Sequence, residues 1–469
     1  MGYSSIAFIF FFLPFAAVSY AVLWKLFKNS TLQNVWLIVL SLGFYRWGLD
    51  GTDGFRILLL VIGVNYLVSR LLRHTFARWT VFVGGAFNVI LLSWYKYPDQ
   101  LAAYFRGGNI DDLIFPLGLS FIVFHAISYL VDTYRARPAV QNEWLEFVDF
   151  CTYILFFPKL LQGPIVPFPE MKERLRVRTH SLDMVTCGLE RFLIGLGKKV
   201  LIADEISVIL IDIYSASAID PPTAWLVVLL FGLQLYFDFS GYSDMAIGLA
   251  AGFGFKFAEN FNFPYISRSI TEFWRRWHIS LGAWFRNYVY IPLGGNRRGN
   301  VYVNLLIVFL LTGIWHGDTV VYLLWGLMHG AFVLLERTPV YRKLPWQSKP
   351  FRAAGLLYTN AVVFLGWTCF RLETFDELKS YGKLLLGDAP ASVPFDWRFY
   401  TDAKVLALIG VSVLGIALLS RPAAAETLQK VRNRPAGRTI WYVLLLCVFV
   451  LCFLSIVTNS YAPFMYFQY

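Results

Sequence analysis

Residues 234–248 read QLYFDFSGYSDMAIG, residues 260–300 read NFNFPYISRSITEFWRRWHISLGAWFRNYVYIPLGGNRRGN, and residues 311–317 read LTGIWHG. These stretches place acids, arginines and histidines among segments that are otherwise apolar enough for a bilayer. A polar group without a partner in hydrocarbon costs on the order of 2–7 kcal/mol. Ionisable side chains at such positions are therefore expected to serve function. The centre of the chain is predicted to carry out chemistry or transport inside a membrane.

The composition indicates a membrane protein throughout. Of the 469 residues, 57% are hydrophobic and 15% are charged, whereas soluble domains carry about 25% charged residues. Apolar runs near the length of a membrane crossing recur along the chain, which predicts an all-α polytopic protein with roughly ten to twelve transmembrane helices. The net charge of +11 does not indicate nucleic-acid binding, because the basic residues punctuate apolar segments in the pattern that orients membrane helices.

Two stretches are predicted to enter the membrane without forming a regular helix. The first spans residues 147–169 and contains FFPKLLQGPIVPFP, whose four prolines break helices. The second spans residues 256–298, where prolines and glycines surround arginine-rich half-helices. Irregular backbone at that depth is tolerated only where it is buried in protein or lines a cavity. We therefore expect re-entrant segments around a central water-accessible tunnel.

No internal repeat or soluble domain is visible, so a single transmembrane domain over residues 1–469 is the simplest organisation. Within it, residues 1–134 are expected to form N-terminal helices. Residues 135–337 are expected to form the catalytic core, and residues 338–469 to form supporting helices.

Two histidines are the main catalytic candidates. His278 and His316 each follow a tryptophan and lie beside a break in an apolar helix. A buried histidine favours its neutral form, and a neutral imidazole can take the proton of an alcohol during acyl transfer. The oxyanion of that reaction needs donors aimed at it, and Arg275, Arg276 and Trp315 are chemically suited to the task.

The segment QLYFDFSGYSDMAIG is typical of a helix with two polar stripes. Asp238 and Tyr242 are four residues apart, as are Ser240 and Asp244, so each pair shares a face. These side chains either form hydrogen bonds between helices or contact substrate, and the sequence leaves both open. The acids are also placed to pair with arginines of residues 275–286.

The other ionisable groups suggest simpler roles. His125 lies in an apolar segment and is expected to be a hydrogen-bonded core residue, whereas His74 and His180 are expected on the solvated surface. The role of His329 stays open between structure and function. The five cysteines are scattered without CxxC spacing, and there is no HExxH motif, so neither a disulfide framework nor a metal site is predicted.

These motifs resemble the membrane-bound O-acyltransferase family. The resemblance covers nearly the whole chain and includes SSIAFIFFFLP at residues 4–14, FPLGLSFIVFHAISYLVDTYR at residues 115–135, FPKLLQGPIVPF at residues 157–168 and YAPFMYFQY at residues 461–469. It is strongest to the bacterial branch of alginate, peptidoglycan and cellulose O-acetyltransferases, to which the D-alanyl transferase of teichoic acids is related.

The resemblance implies a ring of helices around a thin centre that a tunnel pierces. It implies that His316 is the catalytic residue and that His278 lies in the tunnel. The expected tunnel lining comprises Asp238, Ser240, Tyr242, Asp244, Asn260, Arg275, Arg276 and Trp315.

The resemblance further implies a bacterial inner-membrane enzyme that acetylates an exopolysaccharide such as alginate. Acetyl-CoA is the expected donor on the cytoplasmic side, and no bound cofactor is expected. The expected acceptor is a periplasmic partner protein with a serine nucleophile, and membrane lipid surrounds the chain. The alternatives are O-acetylation of peptidoglycan or cellulose, or transport of an acyl donor or glycan without catalysis.

Overall fold

The computed structural model describes residues 2–48, 53–75, 77–97, 115–137 and 142–458. Regular structure in these ranges is helical, with no strands, which confirms the predicted all-α class. The C-terminal motif YAPFMYFQY lies outside the described residues.

The described chain divides into two compact units. Unit one comprises Met1–Phe192 and Tyr242–Glu259, and unit two comprises Leu193–Gly241 and Asn260–Met465. Their boundaries differ from the sequence division at residues 134/135 and 337/338, which stays a prediction.

Unit one begins with a π-helical turn, Phe8–Phe12, that continues directly into the first α-helix. Its helices are α1 (Leu13–Leu26), α2 (Ser30–Trp47), α3 (Asp53–Thr75), α4 (Arg78–Lys96), α5 (Leu119–Ala136), α6 (Glu143–Leu155), α7 (Phe157–Leu160), α8 (Phe168–Arg176) and the first part of α9 (Leu182–Gly197).

The proline-rich stretch of unit one breaks the helix as predicted. Helix α6 ends at Leu155, and the short α7 is followed by irregular backbone up to residue 167. The residues at the break are buried. The backbone N–H of Phe157 donates to Ser41 Oγ at 3.0 Å, which fixes the position of the break. Irregular backbone at this point is thus held by protein contacts.

Unit two carries most of the predicted functional residues, including His278 and His316. Its helices are the end of α9, α10 (Glu205–Ser215), the first part of α11 (Pro221–Gly252), α12 (Ile270–Arg276), α13 (Ile279–Phe285), α14 (Val301–His316), α15 (Val320–Glu336), α16 (Pro339–Arg342), α17 (Lys349–Thr368), α18 (Phe375–Leu385), α19 (Ala403–Leu419), α20 (Pro422–Arg432) and α21 (Pro435–Thr458). A π-helical segment, Lys198–Asp204, joins α9 to α10.

Four helical segments of the described residues are long and apolar enough to cross a membrane, namely Phe8–Leu26, Asp53–Thr75, Pro221–Gly252 and Pro435–Thr458. The pair α19 and α20 also has this character but bends by 91° at its break. These helices indicate a multi-pass membrane protein. The larger number of ten to twelve crossings stays a prediction.

Helices α14 and α15 form a hairpin with little space between the two backbones. A Cβ on Gly313 would lie 2.5 Å from the carbonyl oxygen of Tyr322, and a Cβ on Gly326 would lie 2.5 Å from that of Phe309. Small residues allow such close helix packing in membranes. The hairpin is therefore a fixed support for His316 at its turn.

A carboxylate from this hairpin also holds the arginine-rich helix α12. Glu336, at the end of α15, accepts hydrogen bonds from the backbone N–H groups of Ile270 at 2.5 Å and Thr271 at 2.8 Å. The first N–H groups of a helix have no partner within it, and a carboxylate there also complements the helix dipole. Glu336 therefore fixes the direction of α12 and of the histidine loop that follows.

Candidate active site

His316 ends helix α14 inside an aromatic shell. Its side chain is buried, and its ring centroid lies 4.6 Å from Trp315, 4.9 Å from Trp325 and 5.0 Å from Phe370. The Trp325 and Phe370 rings meet it edge-on. These large rings restrict the imidazole to few orientations, which is the preorganisation that a general base needs.

Gly317 provides the space that this shell requires. Its backbone is extended, so the reason for glycine is steric, and the ring of Tyr322 packs against the position of the missing Cβ. Tyr322 in turn packs edge-on against Phe370 at 5.3 Å. The absence of a side chain on Gly317 therefore lets Tyr322 come close to the backbone.

His329 joins the same cluster from the next helix. Its ring lies 4.9 Å from Trp325 and 5.1 Å from Trp274, and it is fully buried. Neither ring nitrogen has a hydrogen-bond partner among the described residues. His316 and His329 lie on two different helices. Residues 317–319 separate them onto α14 and α15, where both contact Trp325.

His278 occupies a turn between two short helices. It caps α13 in the left-handed region, with φ of +44°, and its side chain is buried. Asn260 Oδ1 accepts from the backbone N–H of Ser280 at 3.1 Å and from Ser280 Oγ at 2.8 Å, and it lies 3.3 Å from His278 Nδ1. Phe239 packs edge-on against the imidazole at 4.7 Å. Asn260 thus holds the turn and the ring together.

Ring contacts connect the two catalytic candidates. Trp277 precedes His278 and packs on Trp367 at 4.7 Å. Trp367 lies 5.5 Å from Phe370, which packs against His316. This aromatic chain belongs entirely to unit two. The two motifs are therefore parts of one packed cluster, and the tunnel stays a prediction.

Asp238 is paired with a cation that the sequence analysis did not consider. Its carboxylate lies 2.7 Å from Lys199 Nζ, which also lies 2.6 Å from Asp204. Lys199 and Asp238 are each about 2% exposed, and Ser240 beside them is buried too. A buried ion pair of this kind fixes the arrangement of its helices. The alternative in which Asp238 orients arginines of residues 275–286 stays a prediction.

The two predicted arginines have different environments. Arg276 donates to Glu272 through Nε at 3.0 Å and to the carbonyl oxygen of Asn262 at 3.1 Å. Arg275 is exposed. Arg276 therefore stabilises the α12 turn, and Arg275 is available to ligands. Their role as oxyanion donors stays a prediction.

The remaining residues of the polar stripes belong to unit one. Tyr242 is fully buried and stacks on Tyr3 at 4.7 Å. Asp244 accepts from Arg191 at 2.8 Å, and Arg191 also pairs with Glu259. The structure thus gives Asp244 Arg191 as a partner, and its pairing with arginines of residues 275–286 stays a prediction.

Two further histidines differ in how well the sequence predicted them. His125 is buried with Nδ1 2.7 Å from the carbonyl oxygen of Phe121, which confirms a hydrogen-bonded core residue. The prediction of a solvated His180 is wrong, because His180 is half-buried with Nε2 3.0 Å from Tyr20 Oη. Burial, followed by the charge of Arg178, lowers the pKa of His180 to about 4. The basic residues around His180 in the sequence gave no indication of its packing partners, which lie on α1.

No group of three or more His, Cys, Asp or Glu side chains is arranged to hold a metal ion within the described ranges. The absence of a metal stays a prediction.

Comparison with known proteins supplies the class of reaction. Residues 18–373 match the family model described as MBOAT, membrane-bound O-acyltransferase family. The chain belongs to the membrane-bound O-acyltransferase family. It is therefore an acyltransferase of a multi-pass membrane type, and His316 and His278 are the candidates for its chemistry.

Relatives of this membrane-bound O-acyltransferase include polysaccharide-modifying enzymes. It is 35% identical over 500 aligned residues to the probable alginate O-acetylase AlgI of Pseudomonas putida, covering 100% of both chains. It is 32% identical to the peptidoglycan O-acetyltransferase of Helicobacter pylori, over 96% of this chain and 87% of that protein. A teichoic acid D-alanyltransferase of Bacillus subtilis is 31% identical over 44% of this chain and 55% of its own length.

Proposed function

We propose that this enzyme transfers an acetyl group from cytoplasmic acetyl-CoA, across the bacterial inner membrane, to an acceptor used for O-acetylation of an exopolysaccharide. The observation that carries the assignment of His316 is its position. It sits at a helix end in a closed aromatic shell, on the rigid α14–α15 hairpin, and ring contacts join it to the His278 turn.

In the proposed reaction, the neutral imidazole of His316 takes the proton of the acceptor hydroxyl. The hydroxyl oxygen forms a bond to the acetyl carbonyl carbon, and the bond between that carbon and the CoA sulfur breaks. The proton passes from the imidazole to the departing thiolate, so that CoA leaves as the thiol. The aromatic shell excludes water, which would otherwise hydrolyse the thioester.

His278 is proposed to position the reacting groups in the tunnel. Its ring is fixed by Phe239 on one face and by Asn260 at Nδ1. We propose that Arg275 contacts the anionic donor, because its side chain is exposed while Arg276 is engaged with Glu272.

Alginate is the first candidate for the final acceptor. The full-length likeness to a probable alginate O-acetylase supports this choice, and the likeness to a peptidoglycan O-acetyltransferase supports peptidoglycan as the second. We propose that a periplasmic partner protein with a serine nucleophile takes the acetyl group and passes it to the glycan. The chain itself would then need no large external domain.

The test uses purified full-length enzyme in nanodiscs with radiolabelled acetyl-CoA. Thioester cleavage and label transfer are followed for the wild type, His316→Ala, His278→Ala and the control His74→Ala, whose side chain is exposed at the end of α3. We expect a loss of roughly 10²–10⁴-fold in turnover for His316→Ala, the contribution of one general base. The control should match the wild type.

The outcomes separate the parts of the proposal. Turnover in a folded His316→Ala variant equal to that of the wild type removes His316 from catalysis. Transfer of label to alginate oligosaccharide by the enzyme alone would contradict the need for a serine-bearing partner. Retention of activity with a D-alanyl donor but none with acetyl-CoA would overturn the assignment of the donor.

A further inference from the structure

Unit two contains a cavity that the catalytic histidines do not line. It has a volume of about 410 Å³ and lies where the loop after α10 meets the start of α11 and the end of α17. This volume falls within the range of roughly 300–1,000 Å³ that is usual for small-molecule sites. Its walls are mainly apolar and include Tyr214, Val227, Phe231, Leu372 and Leu384, with Arg371 among them.

Helix α18 forms one wall of the cavity and is held there by two hydrogen bonds. Tyr381 Oη donates to the carbonyl oxygen of Ala224 at 2.9 Å, and Trp225 Nε1 donates to that of Leu385 at 3.0 Å. The helix nevertheless exposes Phe375 at its start, and Leu386 just beyond its end is 90% exposed. Large apolar side chains on an amphipathic helix are typical of a segment lying in the membrane interface.

Arg371 is the cationic group of the cavity wall. Its guanidinium lies 4.2 Å from the centre of the Tyr214 ring, which orients it by a cation–π contact. No carboxylate within the described part of the chain lies at ion-pair distance from it. An arginine in this setting presents a planar set of donors that matches a phosphate.

We propose that this cavity binds one acyl chain of an anionic phospholipid, with the phosphate held by Arg371. An apolar cavity beside an interfacial helix suits a hydrocarbon chain. A sugar ring would require several polar partners, and the mainly apolar lining does not supply them. The surrounding bilayer supplies the ligand directly.

Phe370 connects the wall of this cavity with the proposed catalytic residue His316. Phe370 lies between Thr368 and Arg371, which line the cavity, and packs against His316 at 5.0 Å, so we expect an occupant of the cavity to restrict the movement of Phe370. The expected effect of lipid on turnover rests on the proposed role of His316. Lipid binding itself does not, and the two are measured separately.

The test is native mass spectrometry of delipidated full-length enzyme in detergent, with phosphatidylglycerol, phosphatidylcholine, oleate or an alginate oligosaccharide added singly. Arg371→Gln removes the charge, and Ala218→Trp fills the cavity that Ala218 lines. The matched control is Arg398→Gln, because Arg398 is an exposed arginine that also lies over an aromatic ring, that of Trp397, but lies outside the cavity.

We expect one tightly retained phosphatidylglycerol, preferred roughly tenfold over phosphatidylcholine, because the choline cation of the latter offsets the attraction of its phosphate to Arg371. Arg371→Gln should lose the preference, Ala218→Trp should retain neither lipid, and Arg398→Gln should match the wild type. Equal preference in Arg371→Gln and wild type would overturn the proposal. Binding of oleate or the oligosaccharide in place of phosphatidylglycerol would overturn it as well.

The turnover of each folded variant is then measured in nanodiscs with and without phosphatidylglycerol. Stimulation that is lost in both cavity variants and kept in the control supports coupling through Phe370. Lipid binding without any effect on turnover would contradict the coupling while leaving the site itself intact.

Discussion

Substitution of Gly317 by alanine is expected to disable the enzyme without removing any catalytic group. The added Cβ would lie 2.9 Å from Cζ of Tyr322 and closer still to two further atoms of that ring. Carbon atoms in favourable contact are about 3.5–4.0 Å apart, so the ring must move by more than about 1 Å to clear its nearest atoms. The displaced ring bears on Phe370, which contacts His316.

The magnitude follows from the rigidity of the hairpin. Overpacking of this kind costs about 1–3 kcal/mol of stability, and a misplacement of about 1 Å near a reacting group can cost about 10²-fold in rate. We therefore expect the turnover of Gly317→Ala to fall by about ten- to a hundredfold. The Michaelis constant for the donor should change little, because the disturbance lies at His316.

The assay compares acetyl-CoA turnover and thermal unfolding of Gly317→Ala with those of Gly410→Ala. Gly410 lies within α19, where an added Cβ would meet nothing within 4 Å, so this control should be neutral or slightly stabilised. A Gly317→Ala/Tyr322→Ala double variant removes the clash and should be less impaired than the sum of the two single changes.

Unchanged turnover and unchanged unfolding temperature in Gly317→Ala would refute the argument. It would mean that the aromatic shell yields freely and does not fix the orientation of His316.

Three further perturbations test other contacts. Asn260→Ala leaves buried donors of the α13 turn unpaired, which should cost about 1–3 kcal/mol in chemical unfolding and lower turnover through His278. Lys199→Met leaves the buried carboxylate of Asp238 and the partly exposed one of Asp204 without their cation and should cost about 3–5 kcal/mol of unfolding free energy, with partial recovery on adding Asp238→Asn. Because the pKa of His180 is about 4 in the folded protein, the unfolded chain binds a proton between pH of about 6.5 and 4 that the folded chain does not. Stability should therefore fall as pH falls through that window, and His180→Phe should lessen the decline in melts at pH 7.5, 6 and 5.

Exposed residues of the same types serve as controls for these three variants. Asn433→Ala, Lys25→Met and His74→Ala alter side chains that lie on the surface, where substitutions usually change stability by less than about 0.5 kcal/mol. Equal effects in a variant and its control would contradict the contact that the variant tests. For His180→Phe, a pH profile parallel to that of the wild type would do so.

The sequence predicted those features that depend on local chemistry. Four prolines between residues 158 and 169 predicted the broken segment after α6. The sequence WHG at residues 315–317 predicted that His316 lies at a helix end. In both cases a few neighbouring residues determine the backbone, through a missing N–H or a missing Cβ. The all-helical class followed from the apolar runs of the sequence, each near the length of a membrane crossing.

Features that depend on distant contacts were not predictable. Lys199 precedes Asp238 by 39 residues, and nothing in the spacing joins them. Trp325, Trp367 and Phe370 read as ordinary apolar residues in the sequence, yet they pack on one another, and Trp325 and Phe370 contact His316. Tertiary packing decides such neighbours, and a helix face alone does not reveal what packs on it.

The π-helical segment Lys198–Asp204 determines which residues of this stretch can form an ion pair with each other. At about 100° per residue, an α-helix would turn Lys199 and Asp204, five positions apart, some 140° away from each other. The wider π turn bonds each residue to the fifth along and brings them to 2.6 Å. Deletion of one residue between them would leave the two four positions apart, where a regular α-helix also places them on one face. Regular α-helical geometry at the present length would instead separate them, so the ion pair depends on the π turn as much as on the charges themselves.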